Sequence, residues 1–441
     1  MSTSPQSTAE RGALHETPVA GLRMRDWQEG ASAGQHCRAT GAPALGSGGK
    51  ARETGASAIS ALGTSVTVSL EGTGSFLPEP RVGNASILER IRPVRPDGRP
   101  IEPEWVDRHL GIHERRLDLD LATMRKRSRA EGGLYDGEMA VRAARSALDD
   151  AGVEASEVDI LVHVSTTPDT IACSDHLRYI TGELGLRAGT DLIHHNLGCA
   201  GLAAGFRTAA SYLVSTAPAT ALVVASNCVS AYYGEEANDA YQAQGNPGDA
   251  MDWLVPVMFA DGAGAAVWRG TPTGGGQPAA GLCSVRYETN PEVGLVTYPG
   301  GGGINHTTRH NIRDHRFYMD ARRVSEEFGP LILRDMQMLE EDWPTHIKPA
   351  VRRDFDPEAV TRWYMHQANG VVVRKATELL GLPPERVPIG VDHYGNTSAA
   401  STLILLDEDR RAGRLHDGDL VVFLWVGAGN GAMNGYAALV V

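Results

Sequence analysis

Asp191-Leu-Ile-His-His-Asn-Leu-Gly-Cys-Ala-Gly-Leu-Ala-Ala-Gly205 reads as an apolar strand that breaks at Gly198 and opens directly into a helix. That reading places Cys199 at a helix N-terminus, where unpaired N–H groups and the positive end of the macrodipole favour thiolate over thiol. A residue type that usually packs as a small hydrophobe would thereby become a nucleophile. Two further polar residues stand in equally distinctive settings: His366 in Trp363-Tyr-Met-His-Gln-Ala-Asn369 and Asn396 in His393-Tyr-Gly-Asn-Thr-Ser-Ala-Ala-Ser401. Cys, His and Asn in that order suggest nucleophilic acyl transfer.

The surrounding pattern is layered α/β. Ser65-Val-Thr-Val-Ser-Leu-Glu-Gly-Thr-Gly74 alternates and then meets glycines, which reads as a strand and turn. Residues 138–152 form an amphipathic helix with Met139, Val141, Ala144, Ala147 and Leu148 facing inward. Strands follow at 158–164 and 220–226, on either side of the Cys199 unit, and strand–helix alternation of this kind implies right-handed crossovers. The second half repeats the scheme: a strand at 362–366, a helix at 371–380 ended by Gly381, and a helix at 398–411 opened by Thr397 or Ser398 as N-cap. Apolar runs at 420–426 and 435–441 read as buried strands joined by Gly427-Ala-Gly-Asn-Gly431. Because it links strands, this glycine run is not a dinucleotide fingerprint. Cys199, His366 and Asn396 thus lie at strand-to-helix junctions, the ends where open α/β sheets bind ligands. The expected division is a disordered tail at 1–64, rich in Ala, Gly, Ser and Thr, then halves at 65–285, with the Cys, and 286–441, with the His and Asn.

Composition narrows the classes. The 441 residues carry 41 Lys+Arg against 54 Asp+Glu, and the net charge of −13 disfavours nucleic acid and anionic membrane surfaces. Five cysteines without CxxC spacing, and no charged n-region ahead of an apolar segment, point to a reduced, cytoplasmic protein. No window nears the ~18 unbroken apolar residues of a membrane span.

Seven separate pieces carry a resemblance to the β-ketoacyl-acyl-carrier-protein synthase III group of the thiolase superfamily, over about residues 66–441. They are Gly72-Thr-Gly-Ser-Phe-Leu-Pro78, Trp105 with Leu110-Gly-Ile-His-Glu-Arg-Arg116, Thr166-Thr-Pro-Asp169, Gly198-Cys-Ala-Gly201, Phe259-Ala-Asp-Gly-Ala-Gly-Ala-Ala266, His366-Gln-Ala-Asn369 and Gly395-Asn-Thr-Ser-Ala-Ala-Ser401. The resemblance implies a duplicated αβαβα layered sandwich and a homodimer. It implies Cys199 as the acyl-accepting nucleophile, with His366 and Asn396 as the hydrogen-bonding pair. The substrates would be coenzyme A or phosphopantetheine thioesters, brought as acyl-CoA or on an acyl carrier protein, and neither metal nor organic cofactor is required.

On chemical grounds a tetrahedral oxyanion needs donors, expected from the Cys199 N–H and from the glycine loop, at Gly429 or Asn430. An enolate from a malonyl-type thioester would be met by neutral His366 and the Asn396 amide. The sequence departs from the family pattern mainly at the pocket: Ala172 or Cys173 stands where the family often has a Phe, Arg108 and His109 follow Trp105, and Gly370 follows Asn369. Longer loops at 231–253 and 300–315 point, with the tail, to polyketide or other specialised metabolism. The alternative is an acyltransferase of the same fold that forms an ester or amide. A papain-like protease shares the residue order, but its cysteine signature is missing. Cys173, Cys228 and Cys283 read as structural, His194 and His195 as packing, and His306, His310 and His315 as too loosely spaced for a metal.

Overall fold

The computed structural model describes residues 65–95, 98–170, 175–233, 253–274, 280–297, 318–319, 321–429 and 431–441. The expected disordered tail at 1–64, the pocket residues Ala172 and Cys173, the three loop histidines and Asn430 lie outside these residues.

The strands used below are β1 (Val66–Phe76), β2 (Ile160–Val164), β3 (Asp191–His195), β4 (Ala219–Asn227), β5 (Gly262–Pro272), β6 (Gly281–Asn290), β7 (Arg362–Met365), β8 (Leu420–Gly429) and β9 (Gly431–Val440). The helices are α1 (Pro103–Leu110), α2 (Asp136–Ala151), α3 (Asp175–Leu184), α4 (Gly201–Thr216), α5 (Leu254–Met258), α6 (Ala321–Asp342), α7 (Gly370–Leu379) and α8 (Ser401–Arg411). One sheet runs β1-β5-β4-β2-β3 and the other β6-β9-β8-β7. In the first, β2 pairs in parallel with both β3 and β4, while β1, β5 and β4 pair antiparallel.

Helices α4 and α8 lie between the sheets, α2 covers the far face of the first and α6 the far face of the second. Phe206 of α4 shows how the middle layer is glued: its ring meets Trp268 of β5 at 5.0 Å and Phe423 and Trp425 of β8 at 5.5 and 5.4 Å. Each aromatic buries 150–250 Å² or so, so this contact alone ties both sheets to one helix.

The sequence is right about the inward face of α2, where Met139, Val141, Ala144, Ala147 and Leu148 are all buried. Gly72 and Gly74, read as a turn, instead lie within β1, which runs on to Phe76. They are glycine because α2 presses its backbone onto them: a Cβ at 72 would lie 2.6 Å from the Ala147 carbonyl oxygen, and one at 74 would lie 2.3 Å from that of Ala143. The second correction concerns α8. A short 3₁₀ turn at Ser398–Ala400 precedes it and Ala400 occupies its N-cap, so neither Thr397 nor Ser398 caps that helix.

Candidate active site

The turn after β3 closes by a 2.7 Å bond from the Gly201 N–H to the Gly198 carbonyl, and α4 begins at Gly201 with Ala200 at its N-cap. Cys199 therefore sits just ahead of the helix. Its side chain is buried, and burial pushes the thiol above its ordinary value, against the pull of the Ser398 hydroxyl and of the Ala428 and Cys199 N–H groups. The expectation that the helix end leaves a ready thiolate is thereby corrected: desolvation outweighs the local donors.

The far wall is the end of β8. A Cβ on Gly427 would fall 2.6 Å from the Cys199 Cβ, and one on Gly198 would fall 3.0 Å from the Ala428 carbonyl oxygen. Backbone N–H groups alternate sides along a strand. With Ala428's N–H on the thiol side, that of Gly429 turns toward β9, where Gly429 is paired with Gly431. Among the described residues the β8 backbone N–H directed at the thiol is that of Ala428; Asn430, also expected as a donor, lies outside them.

His366 follows β7 and its N–H continues the ladder to the Leu424 carbonyl at 2.9 Å. The ring is buried, which lowers its pKa to about 4 and keeps it neutral near pH 7. Its Nδ1 lies 3.4 Å from the Ser401 hydroxyl, which in turn lies 3.0 Å from the Ser398 carbonyl. A hydroxyl has one proton. Given to the carbonyl, it leaves His366 protonated on Nδ1 with a bare Nε2; given to Nδ1, it leaves an Nε2–H donor.

Asn396 is held from both sides by backbone: its N–H donates to the Met258 carbonyl at 2.8 Å, and its carbonyl accepts from the Ala260 N–H at 2.9 Å. The Ser398 N–H donates to Asn396 Oδ1 at 2.8 Å, which fixes the amide orientation and leaves Nδ2 as the donor end. Among the described residues, a weak 3.4 Å bond to the Ala368 carbonyl is what occupies that end. Gly395 makes the turn at φ +75°, where a Cβ would strike the Arg115 side chain at 2.6 Å. Arg115 is a residue the sequence reading gave no role. Fully buried, it donates to the Val257 carbonyl at 2.8 Å and to that of Val82 at 2.9 Å, and so steadies the α5 end that holds Asn396.

Cys199, His366 and Asn396 line one small cavity of about 40 Å³, whose other walls include Phe259, Leu295, Met319, Val324, Phe328 and Ala428. The wall from α6 and from Leu295 and Met319 carries no local signature in the sequence. Trp105 and Arg108, expected at the pocket, are not among its lining residues. Arg108 is exposed on α1, and Trp105 is half-buried, stacked on His109 at 4.3 Å and against Trp253 at 5.6 Å. His195 is engaged by Thr208 and His194 by His163, so both histidines are held away from the cavity.

A family model described as 3-oxoacyl-(acyl-carrier-protein) synthase III C terminal matches residues 351–439. The beta-ketoacyl-(acyl-carrier-protein) synthase III of Rhodospirillum rubrum is 27% identical over 360 residues, which cover 82% of this chain and 95% of that protein. That of Geobacillus kaustophilus is 30% identical over 362 residues, covering 81% and 94%. Among solved structures, 3-oxoacyl-(acyl carrier protein) synthase III from Pseudomonas aeruginosa matches with TM-score 0.63 at 24% identity, over 85% of this chain and 98% of that one. OleA of Xanthomonas campestris with bound lauric acid and lauroyl-CoA matches with TM-score 0.63 at 20% identity, over 85% and 99%. The fold is the duplicated αβαβα sandwich of the thiolase type. At 30% identity along most of its length, this chain belongs to the β-ketoacyl-acyl-carrier-protein synthase III family of acyl-transferring condensing enzymes.

Proposed function

We propose that the enzyme works by ping-pong acylation of Cys199 followed by decarboxylative condensation, with acyl-CoA or an acyl carrier protein as donor. The Cys199 sulfur attacks the acyl thioester carbonyl; the donor's C–S bond breaks, and its thiol leaves with the proton. A malonyl-type thioester then loses its carboxylate as carbon dioxide, and the electron pair of the broken C–C bond becomes an enolate on the thioester oxygen. His366 Nε2–H and Asn396 Nδ2–H donate to that oxygen. The enolate carbon attacks acyl-Cys199, a C–C bond forms, and the C–S bond to Cys199 breaks to release the β-ketoacyl thioester. No metal or organic cofactor enters these steps. The arrangement that carries this reading is the apolar cavity in which the thiol faces two neutral nitrogen-bearing side chains, with the Asn396 amide locked donor-inward. We assign the activity to polyketide or other specialised metabolism on the longer loops at 231–253 and 300–315 and the tail.

Ser401 supports a second reading. When its proton goes to the nearer Ser398 carbonyl, His366 Nε2 is a base, suited to activating a hydroxyl or amine for ester or amide formation. Carbon dioxide release from a labelled malonyl thioester separates the two. Acyl-dependent release accompanies condensation; transfer to an alcohol or amine without release would replace it.

A further inference from the structure

Two histidines that the catalytic scheme leaves unused converge on one buried carboxylate, and a third packs against them. His163 of β2 is register-paired with His194 of the edge strand β3, and His176 lies in the first turn of α3. Their ring centroids are 4.9 Å apart for His163 and His176, 5.1 Å for His163 and His194, and 6.0 Å for His176 and His194. Asp136, the first residue of α2, places Oδ2 at 3.6 Å from His163 Nε2 and 3.3 Å from His176 Nε2. Asp136 and His163 are fully buried, and His176 is 4% exposed.

Such a cluster is costly in a core unless its polar atoms are served. Asp136 is well served: Oδ1 accepts from Ser165 at 2.9 Å and Thr167 at 2.7 Å, and Oδ2 accepts from Ser226 at 2.7 Å. His163 is also engaged at both nitrogens, by Ser226 Oγ at 2.7 Å and by His194 Nδ1 at 3.0 Å. Among the described residues, however, the buried Nε2 atoms of His176 and His194 have no hydrogen-bond partner. His176 Nε2 lies 3.3 Å from Asp136 Oδ2 as an ion-pair contact. Two histidine nitrogens and a carboxylate oxygen this close together can share one ion once each nitrogen that faces it gives up its proton.

The spacing agrees. Bonds of about 2.0–2.1 Å in tetrahedral array put ligand atoms roughly 3.3 Å apart, against 3.3 and 3.6 Å here. One ligand atom from each of Asp136, His163 and His176 lies within 4.8 Å of the other two.

We propose that Asp136, His163 and His176 form a buried site for a divalent transition-metal ion of the zinc class. His163 would exchange its Ser226 contact for the ion and donate its Nδ1–H to His194. Ser226 already gives its own proton to Asp136. His176 would carry its proton on Nδ1, which now accepts from the Asp169 N–H at 3.2 Å and lies 3.9 Å from Asp169 Oδ2, the carboxylate that would take that proton. Ligand and supporting acceptor then follow the arrangement usual for metal-bound histidine. None of these residues lines the cavity at Cys199. The ion would clamp the starts of α2 and α3 to β2, and through Asp169 it would fix the segment beginning at residue 166.

The test uses the full chain, stripped with chelator and then given zinc or cobalt(II) as the probe. About one zinc per chain should survive gel filtration and raise the melting temperature, and cobalt should give the visible bands of a tetrahedral nitrogen and oxygen site. His176→Ala should reduce retention at least tenfold or so, whereas His310→Ala should leave it unchanged. Failure of the unsubstituted protein to retain zinc overturns the proposal, as does undiminished retention by folded His176→Ala. A cobalt–thiolate charge-transfer band would place the ion on a cysteine and overturn it equally. Should His176→Ala not fold, the stoichiometry and spectrum of the unsubstituted protein decide alone.

Discussion

Replacing Gly427 with alanine should disable the thiol without altering any side chain assigned to the chemistry. The added Cβ would lie 2.6 Å from Cys199 Cβ and 3.5 Å from its sulfur. Carbon atoms in good contact sit about 3.5–4.0 Å apart, so the two must separate by roughly 1 Å. Strand β8 cannot yield easily, since Val426, Gly427 and Ala428 are held in register against Asn434, Met433 and Ala432 of β9. Cys199 and its turn must therefore move. A misplacement of about 1 Å costs on the order of a hundredfold in rate, and overpacking a core costs about 1–3 kcal/mol. The assay is the second-order rate constant for acylation by acyl-CoA, read by intact mass, alongside a thermal melt. Gly418→Ala is the control: its φ is +90° but its Cβ meets nothing within 4 Å, so it strains backbone away from the thiol. Acylation of Gly427→Ala at the parent rate would refute the placement of β8 against Cys199.

Asn396→Asp should still become acylated but should decarboxylate the malonyl partner about 10²–10³-fold more slowly, because a carboxylate replaces a donor at a developing oxyanion; unchanged carbon dioxide release would remove Asn396 from that role. Burial holds His366 at about 4 against 6.5 for the free side chain, so between those values the unfolded chain binds more protons and stability falls as pH falls. The shift corresponds to about 3 kcal/mol, fully present above the unfolded value and lost on acidification toward 4. Burial also lowers the pKa of His163 and His194, so they contribute with the same sign. His366→Gln should show a shallower loss of denaturation midpoint between pH 7 and 4.5, and an identical slope would contradict the cause. A homodimer is expected in solution, with residues 166–174 at the partner's pocket; among the described residues β3, where Leu192 is 41% exposed, is an edge strand of the first sheet. A monomer by light scattering at micromolar concentration would count against it.

Local pattern made much of this legible. The continuous apolar runs at 420–426 and 435–441 read as buried strands and lie within β8 and β9, which run on through Gly429 and from Gly431, and Gly381 follows the end of α7 in the left-handed conformation. What failed was whatever depends on a distant element. Gly72 looks like a turn until α2 is seen to press carbonyl oxygens against it. Ser398 looks like a cap until the chain is seen to make a 3₁₀ turn at Ser398–Ala400 before α8 begins. The Cys199 thiol looks activated from its position before a helix, whereas its pKa is dominated by burial under β8. Asp136, His163, His176 and His194 come from separate elements and share no spacing, so no window of sequence displays their cluster.

The most direct test of the account is intact-protein mass spectrometry of the parent chain and of Cys199→Ala after incubation with a panel of acyl thioesters. The account predicts one acyl adduct on the parent chain, mapped to the peptide containing Cys199, discharged on addition of a malonyl thioester, and absent from the folded variant. An adduct that persists in Cys199→Ala, or that maps to Cys228 or Cys283, would contradict it.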